Sequence, residues 1–126
     1  SFLDPLFDYA KDFSKADEII IASPYYDLSF PSRLKQYIEQ INVIGLTFAY
    51  SSEGRPYGLC RAKRLFYVTT SGGIHTDHSY GFGYIKALCD TFYGIDDVRL
   101  IEAEGLDMDG VDSEKILKDR IDRLDV

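Results

Sequence analysis

A short apolar run, Ile-Ile-Ile-Ala at positions 19–22, constrains the fold of this chain more than any other stretch. Segments with helical spacing of apolar residues flank it, and in that setting such a run is typical of a strand buried on both faces of a parallel sheet. Pro24 ends the strand because it has no backbone N–H to donate to a sheet. Ligands of open α/β sheets bind just beyond the carboxyl ends of strands. The residues from Pro24 onward are therefore the first place where the sequence predicts a binding site.

Helical and strand-like segments alternate along the chain. Asp4 and Pro5 predict the N-cap and the first residue of a helix that leads into the first strand. Periodicity predicts three further helices and two further main strands, the helices over 31–44, over 80–93 and from Asp112 onward, and the strands over 65–69 and 98–103. This order predicts an α/β fold with a parallel sheet and right-handed crossovers, of which three main strands are present. The strand over 98–103 is less apolar, so we expect it nearer a sheet edge.

An aromatic segment at 46–59 interrupts the alternation. A β-like run, a turn over 51–54 and a return segment predict a hairpin that carries Phe48 and Tyr50. This hairpin is either a lid or subunit interface, or one wall of a substrate site. Both interpretations hold if the site lies at a dimer interface, where pockets are common.

Hydroxyls and paired glycines follow the strand over 65–69. The loop Thr70, Ser71, Gly72 and Gly73 offers backbone N–H groups, because glycine lets a backbone approach a ligand closely. An ordinary strand-to-helix turn has a similar composition, so the loop alone does not identify a site. His75 follows the loop, and we interpret His78 as a surface residue.

Composition limits the partners of the protein. The 126 residues fit a single domain, 1–126, and 14 basic against 21 acidic side chains give a formal net charge of −7. That charge argues against nucleic acid or an anionic membrane as a partner, and no apolar run is long enough to span a bilayer. Cys60 and Cys89 lack a C-x-x-C or metal-ligand spacing. We interpret them as buried, reduced thiols of a cytoplasmic protein and predict no metal site.

Four sequence blocks carry a resemblance to a known family. They are A-D-E-I-I-I-A-S-P-Y-Y-D-L-S-F-P-S-R-L-K-Q-Y-I (16–38), G-L-T-F-A-Y-S-S-E-G-R-P-Y-G-L (45–59), V-T-T-S-G-G-I-H (68–75) and G-I-D-D-V-R-L-I-E-A-E-G-L (94–106). In this order and spacing they resemble the flavodoxin-like, FMN-dependent NAD(P)H azoreductase and quinone reductase family. The resemblance covers nearly the whole chain and implies an α/β, flavodoxin-like three-layer sandwich with a parallel sheet.

The resemblance implies two flavin-binding loops. The first corresponds to five residues, Pro24, Tyr25, Tyr26, Asp27 and Leu28, whose backbone amides and side chains would meet the edge of the isoalloxazine ring. Asp27 departs from the family's Asn, so it loses an amide donor and adds a negative charge near the ring. The second loop corresponds to 70–73, where Ser71 replaces the family's Arg and removes a positive charge.

The resemblance also implies roles for three side chains. His75 is either a donor to the N1/O2 edge of the flavin, where it would stabilise the anionic reduced ring, or an exposed loop residue. Tyr50 corresponds to an aromatic residue on the substrate side of the family's pocket. We assign Phe48, two residues earlier, to the same substrate wall.

One departure concerns the amino terminus. Family members carry a first strand and a Ser-rich loop there, which bind the FMN phosphate at a helix N-terminus. No such segment precedes Ser1, so the chain resembles the C-terminal portion of a family member. We therefore expect an exposed apolar edge on the strand at 19–22 and weak or no FMN binding by this chain alone.

The function implied by the resemblance is that of an FMN-dependent NAD(P)H oxidoreductase. Such an enzyme, expected to be a homodimer, takes electrons from NADH or NADPH and reduces quinones or azo compounds in a two-electron ping-pong reaction through the flavin. Two alternatives stay open. A flavodoxin-type electron carrier suits the acidic charge but has no use for the aromatic hairpin. A truncated, non-catalytic remnant of the fold is consistent with the lost phosphate loop.

Overall fold

The computed structural model describes residues 3–70 and 76–103, together with Lys118. Three predictions lie outside these residues: the part of the glycine loop at 71–73, His75 and the helix from Asp112 onward. The other predicted elements fall within the described ranges.

The described residues form five strands, β1 (Glu18–Ala22), β2 (Phe48–Tyr50), β3 (Pro56–Gly58), β4 (Arg64–Thr70) and β5 (Asp97–Ala103). Three of them pair in parallel in the order β1-β4-β5, and β2 and β3 form an antiparallel hairpin. Both the parallel sheet with three main strands and the hairpin predicted at 46–59 are confirmed. β4 lies between the other two strands, so β5 is at one edge of the described sheet, as expected, and β1 is at the other.

Three α-helices connect these strands, α1 (Asp8–Lys15), α2 (Ser32–Ile41) and α3 (Phe82–Leu88). A short 3-10 turn at Pro5–Phe7 precedes α1, and the Asp4 carboxylate accepts a hydrogen bond from the Leu6 amide at 2.9 Å, which confirms the predicted cap. A π-helical turn at Cys89–Tyr93 extends α3, and Gly94 ends it with a positive φ of 72°. None of the helices in the described ranges is long and apolar enough to cross a membrane.

The hydrophobic core lies between the sheet and the helices. Paired residues of parallel strands share a face, so Ile19 and Leu65 point to the same side as Ile21 and Tyr67. Side chains from all three helices pack against that side, namely Phe13, Ile38, Ile41, Ile85 and Leu88. The described helices therefore form one layer over one face of the sheet.

The burial of β1 differs from the sequence prediction. Ile19 and Ile21 are buried, but Ile20 between them is 54% exposed and Ala22 is exposed as well. The prediction that this strand is buried on both faces is wrong for the described structure, where only the face toward the helices is covered. An apolar run reports the hydrophobicity of both faces of a strand, whereas burial depends on which layers pack against them.

The second helix is shorter than predicted and ends at Ile41 rather than near Ile44. The buried Thr47 hydroxyl donates to the Ile41 carbonyl at 2.6 Å and accepts a hydrogen bond from the Val43 amide at 3.2 Å. These bonds replace the next helical turn. Ile44, counted with the apolar stripe on sequence periodicity, is consequently exposed. Gly45 has a positive φ of 91°, but within the turn that leads to β2.

The β2–β3 hairpin packs on the π-helical turn. The rings of Phe48 and Phe92 lie 4.5 Å apart between centroids. This turn is at the far end of α3, close to the start of β5 at Asp97, so it lies at the amino end of the sheet. The hairpin therefore lies at the amino end of the sheet, away from the carboxyl ends of the strands.

Candidate functional site

A cavity of about 320 Å³ opens at the carboxyl ends of β1 and β4. It is lined by six residues, Ala22, Ser23, Pro24, Val68, Thr69 and Thr70. The loop that follows Pro24 borders this cavity, because the Ser23 amide donates to the Val68 carbonyl at 2.9 Å and the Tyr25 amide to the Thr70 carbonyl at 3.1 Å. The end of the first strand and the end of β4 thus meet here, as expected at the ligand-binding edge of an open α/β sheet.

A tight turn forms the tip of the loop. The backbones of Tyr26 and Ser29 exchange two hydrogen bonds, of 3.1 and 2.8 Å. Between them, Asp27 and Leu28 have positive φ angles of 49° and 71°, as both central residues of a type I′ turn do. Leucine is rarely found in this conformation, because its Cβ then crowds the backbone. The turn is therefore strained at the position where a ligand would approach, which is a common property of binding sites.

The strained turn exposes two hydrogen-bond donors. The backbone N–H groups of Asp27 and Leu28 donate to no acceptor within the described ranges, and both residues are exposed. Two adjacent N–H groups on exposed residues can donate to a planar ligand whose edge carries carbonyl oxygens or ring nitrogens. The exposed Tyr26 and Leu28 side chains on the same turn offer apolar surface for the face of such a ligand.

Two side-chain contacts hold the loop against the segment that precedes α3. The Ser29 hydroxyl donates to the Tyr80 carbonyl at 2.7 Å. The Tyr25 hydroxyl donates to the Asp77 carbonyl at 3.0 Å. Desolvation together with the nearby carboxylates of Asp77 and Glu102 raises the pKa of Tyr25, so its hydroxyl stays protonated and remains a donor.

Thr69 adds a polar atom that sequence reasoning missed. Its hydroxyl is buried, and it has no hydrogen-bond partner among the residues that the structure describes. Thr69 is one of the residues that line the cavity, so a buried and unpartnered hydroxyl belongs to the wall of this site. The only sequence signal was its position as the last residue of the strand predicted over 65–69.

His78 was interpreted as a surface residue, and that interpretation is wrong. Its imidazole Nε2 contacts the Glu102 carboxylate, and each of the two side chains is only 17% exposed. The Tyr25 ring packs edge-on against the imidazole, with 5.9 Å between centroids. No spacing along the sequence links Tyr25, His78 and Glu102, which only the fold brings together.

The predicted substrate wall lies apart from this loop within one chain. Phe48 is buried against Phe92, whereas Tyr50 is 47% exposed and packs edge-on against Phe48. Both belong to the hairpin at the amino end of the sheet. Thr70, predicted to bind the flavin, lines the cavity, while Ser71, Gly72, Gly73 and His75 are outside the described residues.

The two cysteines are free thiols with little reactivity expected of them. Burial raises the pKa of Cys60 and of Cys89 to about 12. Cys89 is fully buried, and the Cys60 thiol donates to the Thr47 carbonyl at 3.4 Å. Within the described ranges, no group of three or more His, Cys, Asp or Glu side chains is arranged to hold a metal ion.

Comparison with known proteins places the fold and the site in context. The family model described as a flavodoxin-like fold matches residues 6–126. The FMN-dependent NADH:quinone oxidoreductase of Clostridium beijerinckii is 37% identical over 121 residues, which cover 94% of this chain and 60% of that protein. The FMN-dependent NADH:quinone oxidoreductase 2 of Clostridium acetobutylicum is 39% identical over 120 residues, covering 91% and 59%.

A solved structure gives the same picture. The FMN-dependent NADH-azoreductase of Bacillus anthracis, solved in complex with FMN, superposes with a TM-score of 0.73 at 28% identity and is matched over 93% of this chain and 55% of that one. The resemblance and the flavodoxin-like fold class derived from the four sequence blocks are confirmed. The chain spans about 60% of the length of the curated relatives named above.

Proposed function

Because this chain belongs to the flavodoxin-like fold family, we propose that it is an FMN-dependent NAD(P)H oxidoreductase that reduces quinones or azo compounds. The observation that carries the proposal is the Asp27–Leu28 turn, with two exposed backbone N–H groups beside a cavity at the carboxyl edge of the sheet. The relatives named above support the cofactor and the acceptor class, since their names specify FMN, NADH and quinones.

The residues around the turn fit the edge of a flavin ring. That edge carries carbonyl oxygens and nitrogens that accept hydrogen bonds, and the N–H groups of Asp27 and Leu28 are donors of the required kind. Thr69, whose buried hydroxyl is unpartnered within the described ranges, forms part of the cavity wall beside these donors. Tyr26 and Leu28 would pack against the ring. When bound, FMN supplies the two-electron hydride chemistry, with NADH or NADPH as reductant.

The protein's own contribution is orientation and charge control. The bonds from Ser23 and Tyr25 to β4 hold the turn at a set distance from the cavity, so its donors are positioned before a ligand arrives. The Asp27 carboxylate disfavours electron-rich reduced flavin, because like charges repel. Ser71, Gly72, Gly73 and His75 remain predicted flavin contacts.

We further propose that the substrate wall is completed by a second copy of the chain. Tyr50 is exposed at the amino end of the sheet and does not meet the Asp27–Leu28 turn within one chain. A homodimer that places this hairpin over the partner's turn would bring the aromatic wall and the flavin together. The two free thiols agree with the cytoplasmic location that the sequence predicts.

A flavodoxin-type electron carrier is the second candidate, and the net charge of −7 favours it. Acidic carriers bind basic redox partners through charge complementarity. Such a carrier would bind FMN at the same turn but would not turn over a quinone with NADH. Turnover therefore separates the two candidates.

The test is a titration of the ¹⁵N-labelled protein with FMN, followed by NMR. We expect the amide signals of Asp27 and Leu28 to shift in proportion to bound FMN, even when binding is weak, while the amide of Lys15, at the end of α1 that leads into the amino end of the sheet, stays unchanged. NADH oxidation with a benzoquinone or an azo dye is then measured in excess FMN, with FMN alone as the blank. Shifts without turnover favour the carrier. The absence of shifts at Asp27 and Leu28 contradicts both candidates for this chain and favours the truncated, non-catalytic remnant.

A further inference from the structure

An acid–base pair lies directly behind the Asp27–Leu28 turn. His78 belongs to the loop before α3, and Glu102 is the penultimate residue of β5. Their side chains meet through Nε2 and a carboxylate oxygen, and both are largely buried. A carboxylate buried to this extent requires a partner, because removing a lone charge from water is costly.

The pair is connected to the turn through a single residue, Tyr25. The Tyr25 ring packs edge-on against the His78 imidazole, and its hydroxyl donates to the carbonyl of Asp77, the neighbour of His78. The Tyr25 amide is bonded to the end of β4. Tyr25 immediately precedes Tyr26, the first residue of the turn, so it joins the pair to the Asp27 and Leu28 amides through the chain.

We propose that His78 and Glu102 are positioning residues, whose ion pair holds Tyr25 and thereby sets the orientation of the Asp27 and Leu28 amides. The ion pair exists while His78 is protonated. Deprotonation removes the charge attraction and loosens Tyr25. The positioning itself is independent of the proposed function, and only its consequence for flavin binding rests on that function.

The groups that face His78 favour its charged form. Glu102 faces it from β5, Asp77 from its own loop and Tyr25 from the loop after β1. The pKa of Asp77 is held below its ordinary value, chiefly by hydrogen bonds from the Ser79 hydroxyl and amide, and also by the charge of His78. Two carboxylates and one neutral phenol therefore surround the imidazole among the described residues, and both carboxylates stabilise imidazolium.

The experiment is a pH titration of the ¹⁵N-labelled chain between pH 5 and 9, with both histidine rings followed separately. We expect the amides of Asp27 and Leu28 to shift with the same midpoint as the His78 ring. The variant H78Q should abolish these shifts, and E102Q should lower both midpoints together by about one pH unit, since an opposite charge shifts a pKa by that order. The matched control H75Q removes the other histidine and should leave the coupled shifts in place.

Each outcome decides the proposal. Coupled shifts that persist in H78Q, or that vanish in H75Q, overturn it. If H78Q fails to fold, the E102Q variant is sufficient for the test. If its His78 ring and its Asp27 and Leu28 amides change their midpoints by unequal amounts, the amide shifts are not caused by His78, and the proposal is overturned. FMN titration of E102Q against the unaltered protein at pH 6 should show severalfold weaker binding. If the coupled shifts are present and no FMN binds to either protein, the proposed function fails while the positioning pair stands.

Discussion

Gly58 lies against the backbone of Tyr93 so closely that a Cβ at position 58 would be 2.2 Å from the Tyr93 carbonyl carbon. Through this contact the β2–β3 hairpin packs against the π-helical turn. The Phe48 ring, from the same hairpin, packs on Phe92 of that turn. Only glycine is compatible with two backbones at this separation.

The variant Gly58→Ala should therefore lose about 3 kcal/mol or more of unfolding free energy, at the upper end of the cost of overpacking. The contact atoms belong to the backbone and cannot rotate away. The matched control is Gly54→Ala, because a Cβ at position 54 has no atom within 4 Å. This variant should lose only about 1 kcal/mol of unfolding free energy, from the strain of alanine at a positive φ of 78°. Urea denaturation measures both. Equal losses in the two variants would contradict the close approach.

Thr47→Val tests the bonds that end α2. Valine has the same shape but leaves the buried Ile41 carbonyl and the Val43 amide without the Thr47 hydroxyl. Because the Ile41 carbonyl and the Val43 amide remain bonded to each other at 2.9 Å, we expect a loss of about 0.5–1.5 kcal/mol, the usual net contribution of a hydrogen bond. Thr91→Val, at an exposed position of the π-helical turn, should change stability by less than about 0.5 kcal/mol. A similar loss in both variants would rule out this role for the Thr47 hydroxyl.

The raised pKa values of the two thiols predict that the protein loses stability at alkaline pH. In the folded protein, burial raises the pKa of Cys60 and Cys89 from 9.0 to about 12, so the unfolded chain releases these protons first. The contribution of these thiols to the unfolding free energy should be constant below pH 9 and fall as pH rises from 9 toward 12. Between pH 9 and 10 the thiols dominate, and above pH 10 the buried Tyr67 and Tyr93, whose pKa values are also raised by burial, act in the same direction. The fall in unfolding free energy is measured as a fall in the urea midpoint between pH 9 and 10, with the midpoint at pH 8 as the reference.

The double variant Cys60→Ala, Cys89→Ala is the control for the alkaline effect. It should be less stable overall, because two buried side chains become smaller, yet its urea midpoint should not fall between pH 9 and 10. Both thiols in the unaltered protein should also resist iodoacetamide at pH 8 until denaturant is added. Rapid alkylation of the folded protein would contradict the raised pKa values.

The variant Leu28→Gly is expected to change protein stability and FMN binding in opposite directions. Leucine at a φ of 71° is strained, which lowers the free energy of unfolding by about 1–2 kcal/mol. Glycine removes this strain but lowers the free energy of unfolding by about 0.5–1 kcal/mol, because it has more conformational freedom in the unfolded chain. We expect a net gain in stability of up to about 1.5 kcal/mol. We also expect weaker FMN binding, because the apolar side chain is lost. Leu59→Gly, at an exposed leucine with negative φ, should destabilise the protein instead. Destabilisation by Leu28→Gly to the same degree would show that the turn is not strained.

Much of the fold was predictable from local signals. The Asp4 cap, the strands at β4 and β5, the hairpin and the end of the third helix at Gly94 each depend on a few neighbouring residues, and each prediction is confirmed. The end of α2 was not predictable in the same way. It depends on a hydroxyl six residues beyond Ile41, whose bond to the Ile41 carbonyl forms only when the turn closes.

The candidate site was predicted in part. The loop after Pro24 was identified from its place beyond a strand, and the structure places it beside a cavity there. The positive φ angles of Asp27 and Leu28 were not foreseen, because neither residue carries the Asn-Gly signature of a type I′ turn. Thr69, His78 and Glu102 were missed because their importance lies in burial and in contacts between distant segments.

The sequence by itself determined the order of strands and helices and the loop at the end of the first strand, because apolar periodicity and proline act over a few residues. Only the tertiary structure decided that Ile20 is exposed, that the hairpin lies away from the turn, and that Glu102 meets His78 behind Tyr25. These features depend on which layers cover the sheet and on contacts between segments far apart in the chain. Such contacts form only when the burial of many apolar side chains outweighs the entropy lost in ordering the chain.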